Sequence, residues 1–250
     1  MNKTKIEFCD YTWNPVSGCL HGCEYCYAKK FVHRFGQESS ADGSCHDINQ
    51  CRIRSYHEAA YHTGLYPYGF DPTLYRDRLS EPAKVKKPQT VFVCSMADLF
   101  GDWIPDSWIR QVFDACEAAP WHRYLFLTKN PERYNKIQEA GWLPDKHWYG
   151  YTAEAPDKLF HIGAKHAFVS IEPMQNGIGN ELYLHALDWI IVGAETGNRK
   201  GKIIPKLDWI VDIARHCYAS CTPLFMKNSL KDIWKEPLIQ ELPWKARKDG

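Results

Sequence analysis

The chain has 250 residues, of which 44% are hydrophobic and 24% are charged. This length and composition indicate one globular domain, residues 1–250, with a sizeable core. A formal net charge of +1 excludes a broad polybasic surface of the kind that binds long nucleic-acid duplexes without specificity. No apolar run could span a bilayer and no signal peptide follows Met1, so we expect a cytoplasmic protein without a membrane partner.

The first predicted strand spans about residues 7–13 and leads into a loop with three closely spaced cysteines. Cys19, Cys23 and Cys26 form the pattern C-x3-C-x2-C. Three thiolates are one fewer than the four that usually hold an iron–sulfur cluster, which leaves one iron open for another ligand. Tyr25 directly precedes the third cysteine, and the loop resembles the radical S-adenosylmethionine (SAM) signature, C-x3-C-x-aromatic-C. In that signature the open iron is chelated by the amino acid end of SAM.

A structural zinc site is the alternative use of this loop. Such a site needs four closed ligands, and the nearest spare ones are Cys9, His21 and His33. His21 lies between two of the cysteines, which is unusual spacing for a zinc ligand. A disulfide framework is disfavoured, because the spacing is tight and we expect the chain to be cytoplasmic.

A polar stretch at residues 36–89 follows the loop, and its Gly, Pro and Ser content indicates loops and short helices. We interpret it as an insertion or cap within the domain, because apolar residues recur throughout it. Cys45, His46 and Cys51 lie here and could hold a second metal. The alternative, plain loop residues, is favoured since no fourth ligand has the usual zinc spacing.

Short apolar runs alternate with amphipathic segments from residue 90 onward. The runs read as strands buried on both faces, at residues 90–94, 123–128, 147–152, 167–171, 189–193 and 223–226. With the first strand this gives about seven parallel strands joined by right-handed crossovers. The predicted fold is α/β, a partial or closed (β/α) barrel of the radical SAM type.

Three helices are predicted between these strands. One begins near residue 105 and one follows Asn130 and ends at Gly141. The third is predicted from one apolar stripe that consists of Leu207, Ile210, Val211, Ala214, Cys217, Tyr218 and Cys221.

Polar residues follow the predicted strands, where parallel α/β folds place their active face. They are Ser95, Asp98, Lys129, Glu154, Glu172, Glu195 and Lys227. Carboxylates suit the ribose hydroxyls and ammonium of SAM, and lysines suit its carboxylate or a substrate phosphate. We therefore predict that Tyr25, Ser95, Asp98, Lys129, Glu154, Glu172 and Glu195 bind SAM, and that Lys227, Asn228 and Arg199 lie on the substrate side. Solvated loop residues and helix caps are the alternative at each position.

Seven segments that span the chain in order resemble the phage Gp37/Gp68-like (DUF5131) family, a radical-SAM-related group. They are DYTWNPVSGC at 10–19, CYA at 26–28, VFVCSMADLF at 91–100, LTKNPER at 127–133, SIEP at 170–173, WIIVGAETG at 189–197 and FMKN at 225–228. Many radical SAM enzymes carry Gly-Gly-Glu after the second strand, where this chain reads Ser-Met-Ala-Asp at 95–98.

Kinship with radical SAM enzymes implies a [4Fe–4S] cluster and SAM as cofactors, with reductive cleavage of SAM to a 5′-deoxyadenosyl radical. It also implies an electron donor of the reductase or flavodoxin type. The phage association favours nucleic-acid modification or repair, with a peptide substrate as the alternative. A different class, a non-catalytic protein that binds zinc or a cluster for interaction, is disfavoured because a structural site needs none of the strand-end carboxylates.

Overall fold

The structure, a computed structural model, describes residues 1–35, 45–47, 66–154, 160–177 and 187–245. Much of the predicted insertion at 36–89, including Cys51, lies outside the described residues. The chain forms two compact units, Met1–Arg133 and Tyr134–Gly250. The prediction of one domain with an insertion stays a prediction.

The strands of the first unit are β1 (Asn2–Lys3), β2 (Tyr11–Trp13), β3 (Val16–Ser17), β4 (His46–Asp47), β5 (Thr73–Leu74), β6 (Thr90–Val93) and β7 (Arg123–Thr128). Those of the second unit are β8 (Trp148–Thr152), β9 (Ala167–Ile171), β10 (Trp189–Val192) and β11 (Leu224–Met226). The α-helices are α1 (Tyr27–Phe35), α2 (Glu81–Lys84), α3 (Asp106–Glu117), α4 (Glu132–Glu139), α5 (Leu207–Ala219) and α6 (Lys231–Trp234).

In the first unit, β2, β6 and β7 lie parallel and adjacent, and β1 pairs antiparallel with β2. A smaller sheet has the order β3-β5-β4. Helix α3 connects β6 to β7 and carries apolar residues at helical spacing, including Ile109, Val112 and Phe113, which are buried. The rings of Phe113 and Phe126 meet edge to face at 5.5 Å, so this crossover helix packs on the sheet.

In the second unit, β8, β9, β10 and β11 form a parallel array in that order. All residues of β9, β10 and β11 are buried, as expected for strands covered on both faces. Trp189 is fully buried and packs edge to face against Trp148, Phe225 and Trp244. This aromatic cluster is the centre of the second unit's core.

All seven predicted strands occur among the described residues, and the mixed α/β fold with mostly parallel strands is confirmed. The first strand is shorter than predicted, since β2 covers only Tyr11–Trp13 and residues 7 and 8 form a turn. Closure into a barrel stays a prediction. No helix in the described part of the chain is long and apolar enough to cross a membrane.

The predicted apolar stripe of the third helix is partly wrong. Helix α5 buries Ile210, Ile213 and Cys217, whereas Tyr218 is 88% exposed. Cys221 lies beyond the helix end and is exposed. The stripe contained residues of both the buried and the solvent face because small and aromatic residues are not confined to the core.

A buried histidine makes the stability of the second unit depend on pH. His147 is 2% exposed, and burial, aided by the positive charge of Lys146, lowers its pKa from 6.5 to about 3. Below pH 6.5 the unfolded chain therefore binds a proton that the folded chain does not bind until the pH is near 3. Folding stability that is present above pH 6.5 is lost as the pH falls through this window.

We predict that His147→Gln reduces this acid sensitivity. The wild type should lose about 1 kcal/mol more unfolding free energy than the variant between pH 7 and 5.5. Urea unfolding at the two pH values measures the difference. His161→Gln, at an exposed histidine, is the matched control and should behave as the wild type does. Equal pH dependence in wild type and His147→Gln would show that this histidine does not resist protonation.

Candidate cysteine loop and strand-end residues

The three cysteines of the motif lie on the loop between β3 and α1. Cys19, Cys23 and Cys26 are free thiols, and each is half-buried. The backbone N–H of Cys26 donates to the carbonyl of Cys23 at 3.2 Å, and the N–H of Lys29 donates to the Cys26 sulfur at 3.3 Å. The third thiol therefore lies at the N-terminus of α1 and accepts one of the backbone N–H groups of its first turn.

The start of the loop requires a glycine. Gly18 has a φ of +86°, and a Cβ atom there would lie 2.1 Å from the carbonyl oxygen of Asp71. Its N–H donates to the carbonyl of Met96 at 2.9 Å, and the N–H of Cys19 donates to the carbonyl of Phe70 at 3.1 Å. Two neighbouring segments thus hold the backbone at the first cysteine, and a side chain at position 18 would displace it.

Asp98 is the carboxylate that connects the loop to the sheet of the first unit. It is 5% exposed, and its Oδ1 accepts hydrogen bonds from Thr128 Oγ1 at 2.7 Å and the Phe100 N–H at 3.0 Å. Its Oδ2 contacts His21 Nε2 at 2.7 Å and accepts from the Lys129 N–H at 2.8 Å. These contacts satisfy both oxygens of the buried carboxylate.

His21 has a role that sequence reasoning missed. It was considered only as a spare zinc ligand, but its ring contacts Asp98 and meets the Trp103 ring edge to face at 4.8 Å. The middle of the cysteine loop is therefore held between a carboxylate and an aromatic ring. The position of His21 between two cysteines was visible in the sequence, but its partners lie about 80 residues further along the chain.

The other predicted SAM contacts of the first unit also lie around the loop. Lys129 Nζ donates to the Tyr25 hydroxyl and lies 5.1 Å from the centre of the Tyr25 ring. Ser95 Oγ donates to the side-chain oxygen of Asn14, and the Ser95 carbonyl accepts from the Tyr27 hydroxyl at 2.6 Å. Tyr25 and Tyr27 thus contact residues that follow β7 and β6, and a role of this face in binding SAM stays a prediction.

The second unit brings its predicted residues together as two ion pairs. Lys227 Nζ lies 2.7 and 2.9 Å from the two carboxylate oxygens of Glu172. Arg199 contacts both oxygens of Glu195 at 2.7 Å, and the Glu195 side chain is only 5% exposed. Each ion pair joins a residue predicted to bind SAM to a residue predicted to face the substrate. In these two pairs the predicted SAM contacts and the predicted substrate-side residues are therefore in direct contact with each other.

Two further predicted residues of the second unit also follow its strands. Glu154 is half-buried after β8, and its backbone carbonyl accepts from the Gln175 N–H at 3.0 Å. Asn228 is exposed at the start of a short 3-10 helix after β11. In the insertion, the Cys45 thiol donates to the Trp103 carbonyl at 3.1 Å. That Cys45, His46 and Cys51 are plain loop residues, and not ligands of a second metal, stays a prediction.

The electrostatics of the cysteine loop depend mainly on burial. Burial raises the pKa of the Cys19 thiol from 9.0 to about 12, and the nearby Asp98, Cys23 and Cys26 add to this effect. A metal that binds Cys19 must therefore displace its proton.

The donor chemistry of the loop fits an iron–sulfur cluster. It offers three free thiols, and Cys19 and Cys26 pack against an apolar cluster that includes Val32, Phe70 and Met96. An apolar shell of this kind limits solvent access to a metal centre. Within the described residues, no three His, Cys, Asp or Glu side chains are arranged as ligands of a single metal ion. Cluster binding is therefore a proposal.

Comparison with known proteins places the chain in a family. The family model described as a protein of unknown function, DUF5131, matches residues 3–236, so the chain belongs to this family and the predicted membership is confirmed. The comparison with curated proteins found no match. A solved structure that matches is a spore photoproduct lyase mutant with bound AdoMet and dinucleoside spore photoproduct. It is 10% identical, with a TM-score of 0.49, over 93% of this chain and 76% of that chain.

We predict that Asp98→Asn destabilises the first unit by about 1–3 kcal/mol, the cost of leaving buried donors unsatisfied. The amide nitrogen of asparagine would replace one of the two carboxylate oxygens that accept hydrogen bonds. It would then face a backbone N–H, either that of Lys129 or that of Phe100, which would lose its acceptor. Urea unfolding of the iron-free protein measures the loss. Asp102→Asn is the matched control, because the Asp102 side chain is 80% exposed. Equal unfolding free energies for the two variants would contradict the role of Asp98.

Proposed function

We propose that this protein is a radical SAM enzyme that holds one [4Fe–4S] cluster on Cys19, Cys23 and Cys26. The observation that carries the proposal is a loop with three free, half-buried thiols whose start and middle are fixed by the first unit. Gly18 and His21 hold the backbone on either side of Cys19. A loop that is already shaped binds a metal centre at less entropic cost than a mobile one.

Each of the three thiolates would ligate one iron, which leaves the fourth iron for the amino acid end of SAM. When bound, such a cluster supplies the electron that cleaves SAM reductively to methionine and a 5′-deoxyadenosyl radical. The protein's own task is to position SAM and to exclude water. An electron donor of the reductase or flavodoxin type belongs to this proposal.

Tyr25 and Lys129 are proposed as SAM contacts of the first unit. The Lys129 ammonium is held by the Tyr25 hydroxyl and lies beside the Tyr25 ring, which follows Cys23 by two positions. A fixed ammonium near the third cysteine suits the SAM carboxylate as a charge-assisted donor. Ser95 is proposed to contact SAM with its hydroxyl group. Asp98 is proposed to contribute to the SAM site by holding the cysteine loop and the backbone of Lys129 in position.

Glu154, Glu172 and Glu195 are proposed as SAM contacts of the second unit. Glu172 and Glu195 are held by Lys227 and Arg199, so their carboxylates are fixed in place. Fixed acceptors suit ribose hydroxyls and the SAM ammonium. Lys227, Arg199 and Asn228 are proposed to face the substrate, for which nucleic acid is the favoured class.

Triple replacement of Cys19, Cys23 and Cys26 by Ala should abolish iron binding and the visible absorption of the anaerobically reconstituted protein. The wild type, reduced with dithionite, should convert SAM to 5′-deoxyadenosine and methionine, and product analysis detects both. Replacing Cys9, a thiol outside the motif, by Ala is the matched control and should preserve the iron content.

Two results would count against this function. Unchanged iron content in the triple variant would show that the iron is bound by residues other than Cys19, Cys23 and Cys26. A reconstituted wild type that binds zinc, or that holds iron but neither binds nor cleaves SAM, would favour the alternative of a non-catalytic metal-binding interaction protein.

We also predict that Glu172→Gln and Glu195→Gln each weaken SAM binding by about 1–3 kcal/mol, the scale of a charge-assisted hydrogen bond. Both variants should fold and keep the cluster. Calorimetric titration with SAM measures the change, and Glu139→Gln, at an exposed position of the same unit, is the control. If both variants bind SAM as the wild type does but unfold more easily, the two carboxylates serve the ion pairs alone.

A further inference from the structure

Helix α1 begins directly after the third cysteine and presents three aromatic rings to solvent. Tyr27 is 58% exposed, Phe31 is 43% exposed and Phe35 is 57% exposed. They lie at i, i+4 and i+8, so they form one row along the helix, whereas Ala28 and Val32 are buried beneath it. Exposed rings in a continuous row indicate a binding surface more strongly than single exposed apolar residues do.

The rings are held in place by neighbouring groups. The Tyr27 hydroxyl donates to the Ser95 carbonyl at 2.6 Å, which fixes one ring beside the cysteine loop. The Phe31 and Phe35 rings lie 4.8 Å apart, and the Phe31 ring meets Tyr66 edge to face at 6.2 Å. Ordered rings lose little conformational entropy when a planar ligand stacks on them.

A row of cations runs beside the rings. Lys30 and Arg34, four residues apart, occupy the helix positions next to the aromatic row on its solvent side, and the Arg34 guanidinium carbon lies 6.0 Å from the Phe35 ring centre. Lys29 and His33 follow further around the helix. Helix α1 contains no acidic residue, although the whole chain has a formal net charge of only +1. Positive charge is therefore concentrated on this helix.

We infer that the exposed face of α1, the α1 face (Tyr27, Lys30, Phe31, Arg34 and Phe35), binds single-stranded nucleic acid. Aromatic rings stack on unpaired bases while adjacent cations contact the phosphates, and this combination is how single strands are bound without base readout. An unpaired base is required, because the bases of an intact duplex offer no free ring face to the row. As a statement of substrate class, the inference rests on the proposed function.

The positive charge of the α1 face favours single-stranded nucleic acid over an apolar protein surface as its ligand. A protein partner or a second copy of this chain would bury the cations of Lys30 and Arg34 and would need acidic groups opposite them. A phosphate backbone supplies negative charge at every nucleotide. The face also ends at Cys26, so a strand bound on it would pass next to the proposed cluster.

The test is fluorescence anisotropy with a labelled, mixed-sequence single-stranded DNA of about 15 nucleotides, a length within the site sizes of such binders. The double variant Phe31→Ala/Phe35→Ala should raise the Kd by about 10-fold or more, the scale of lost base stacking. The double variant Lys30→Gln/Arg34→Gln should make the slope of log K against log salt shallower by about 1.4. An unlabelled single strand should compete better than its duplex.

The matched control lies on helix α5 of the second unit. Tyr218 is 88% exposed and the Arg215 side chain is 78% exposed, so Tyr218→Ala/Arg215→Gln removes one exposed ring and one exposed cation from another helix. This control should leave the Kd and the salt slope unchanged. The Lys30→Gln/Arg34→Gln variant removes only surface charge, which keeps the test valid if the Phe31→Ala/Phe35→Ala variant unfolds.

Three outcomes would overturn the inference. The first is that the wild type fails to bind the single strand at micromolar concentration. The second is that the α1 and α5 variants have equal Kd values and equal salt slopes. The third is that no DNA binds while Phe31→Ala/Phe35→Ala abolishes self-association in sedimentation experiments, which would assign the α1 face to contact with a second copy of the chain. Iron content, measured on the same samples, reports on the proposed function separately from DNA binding.

Discussion

The buried carboxylate of Asp98 is the interaction on which the cysteine loop depends. One oxygen accepts from Thr128 and the N–H of Phe100, and the other contacts His21 and accepts from the N–H of Lys129. A single side chain thus joins the end of β6, the end of β7 and the middle of the loop. A buried charge is tolerated only with such a complete set of partners, so the three segments are fixed together.

The contacts that hold the cysteine loop also bear on its proposed binding of a metal centre. The loop backbone is held at Gly18 and at His21, on either side of Cys19. Burial that raises the pKa of Cys19 to about 12 keeps this thiol neutral near pH 7 until a metal displaces its proton. Because the thiolate is the form that binds a metal, loss of this proton is a free-energy cost that the sulfur–metal bond has to offset.

Helix α1 links the loop proposed to hold the cluster to the face proposed to bind single-stranded nucleic acid. Its N-terminus donates a backbone N–H to the Cys26 sulfur, and its outer face carries the aromatic row from Tyr27 to Phe35. Only Ala28 and Val32 of this helix are buried, so its outer positions are exposed to solvent. The proposed cluster loop and the proposed nucleic-acid face therefore lie within one helix length of each other, about 14 Å.

The sequence by itself determined the alternation of strands and helices, the buried strands and the family, because runs such as 167–171 and 189–193 are apolar throughout and local in the chain. It also identified the three thiols by their spacing. It could not determine the partners of Asp98 or Glu172, nor the exposed side of α5, where Tyr218 was assigned to the core. Those depend on contacts between residues that are distant in sequence, and only the tertiary structure brings their polar groups within hydrogen-bond distance.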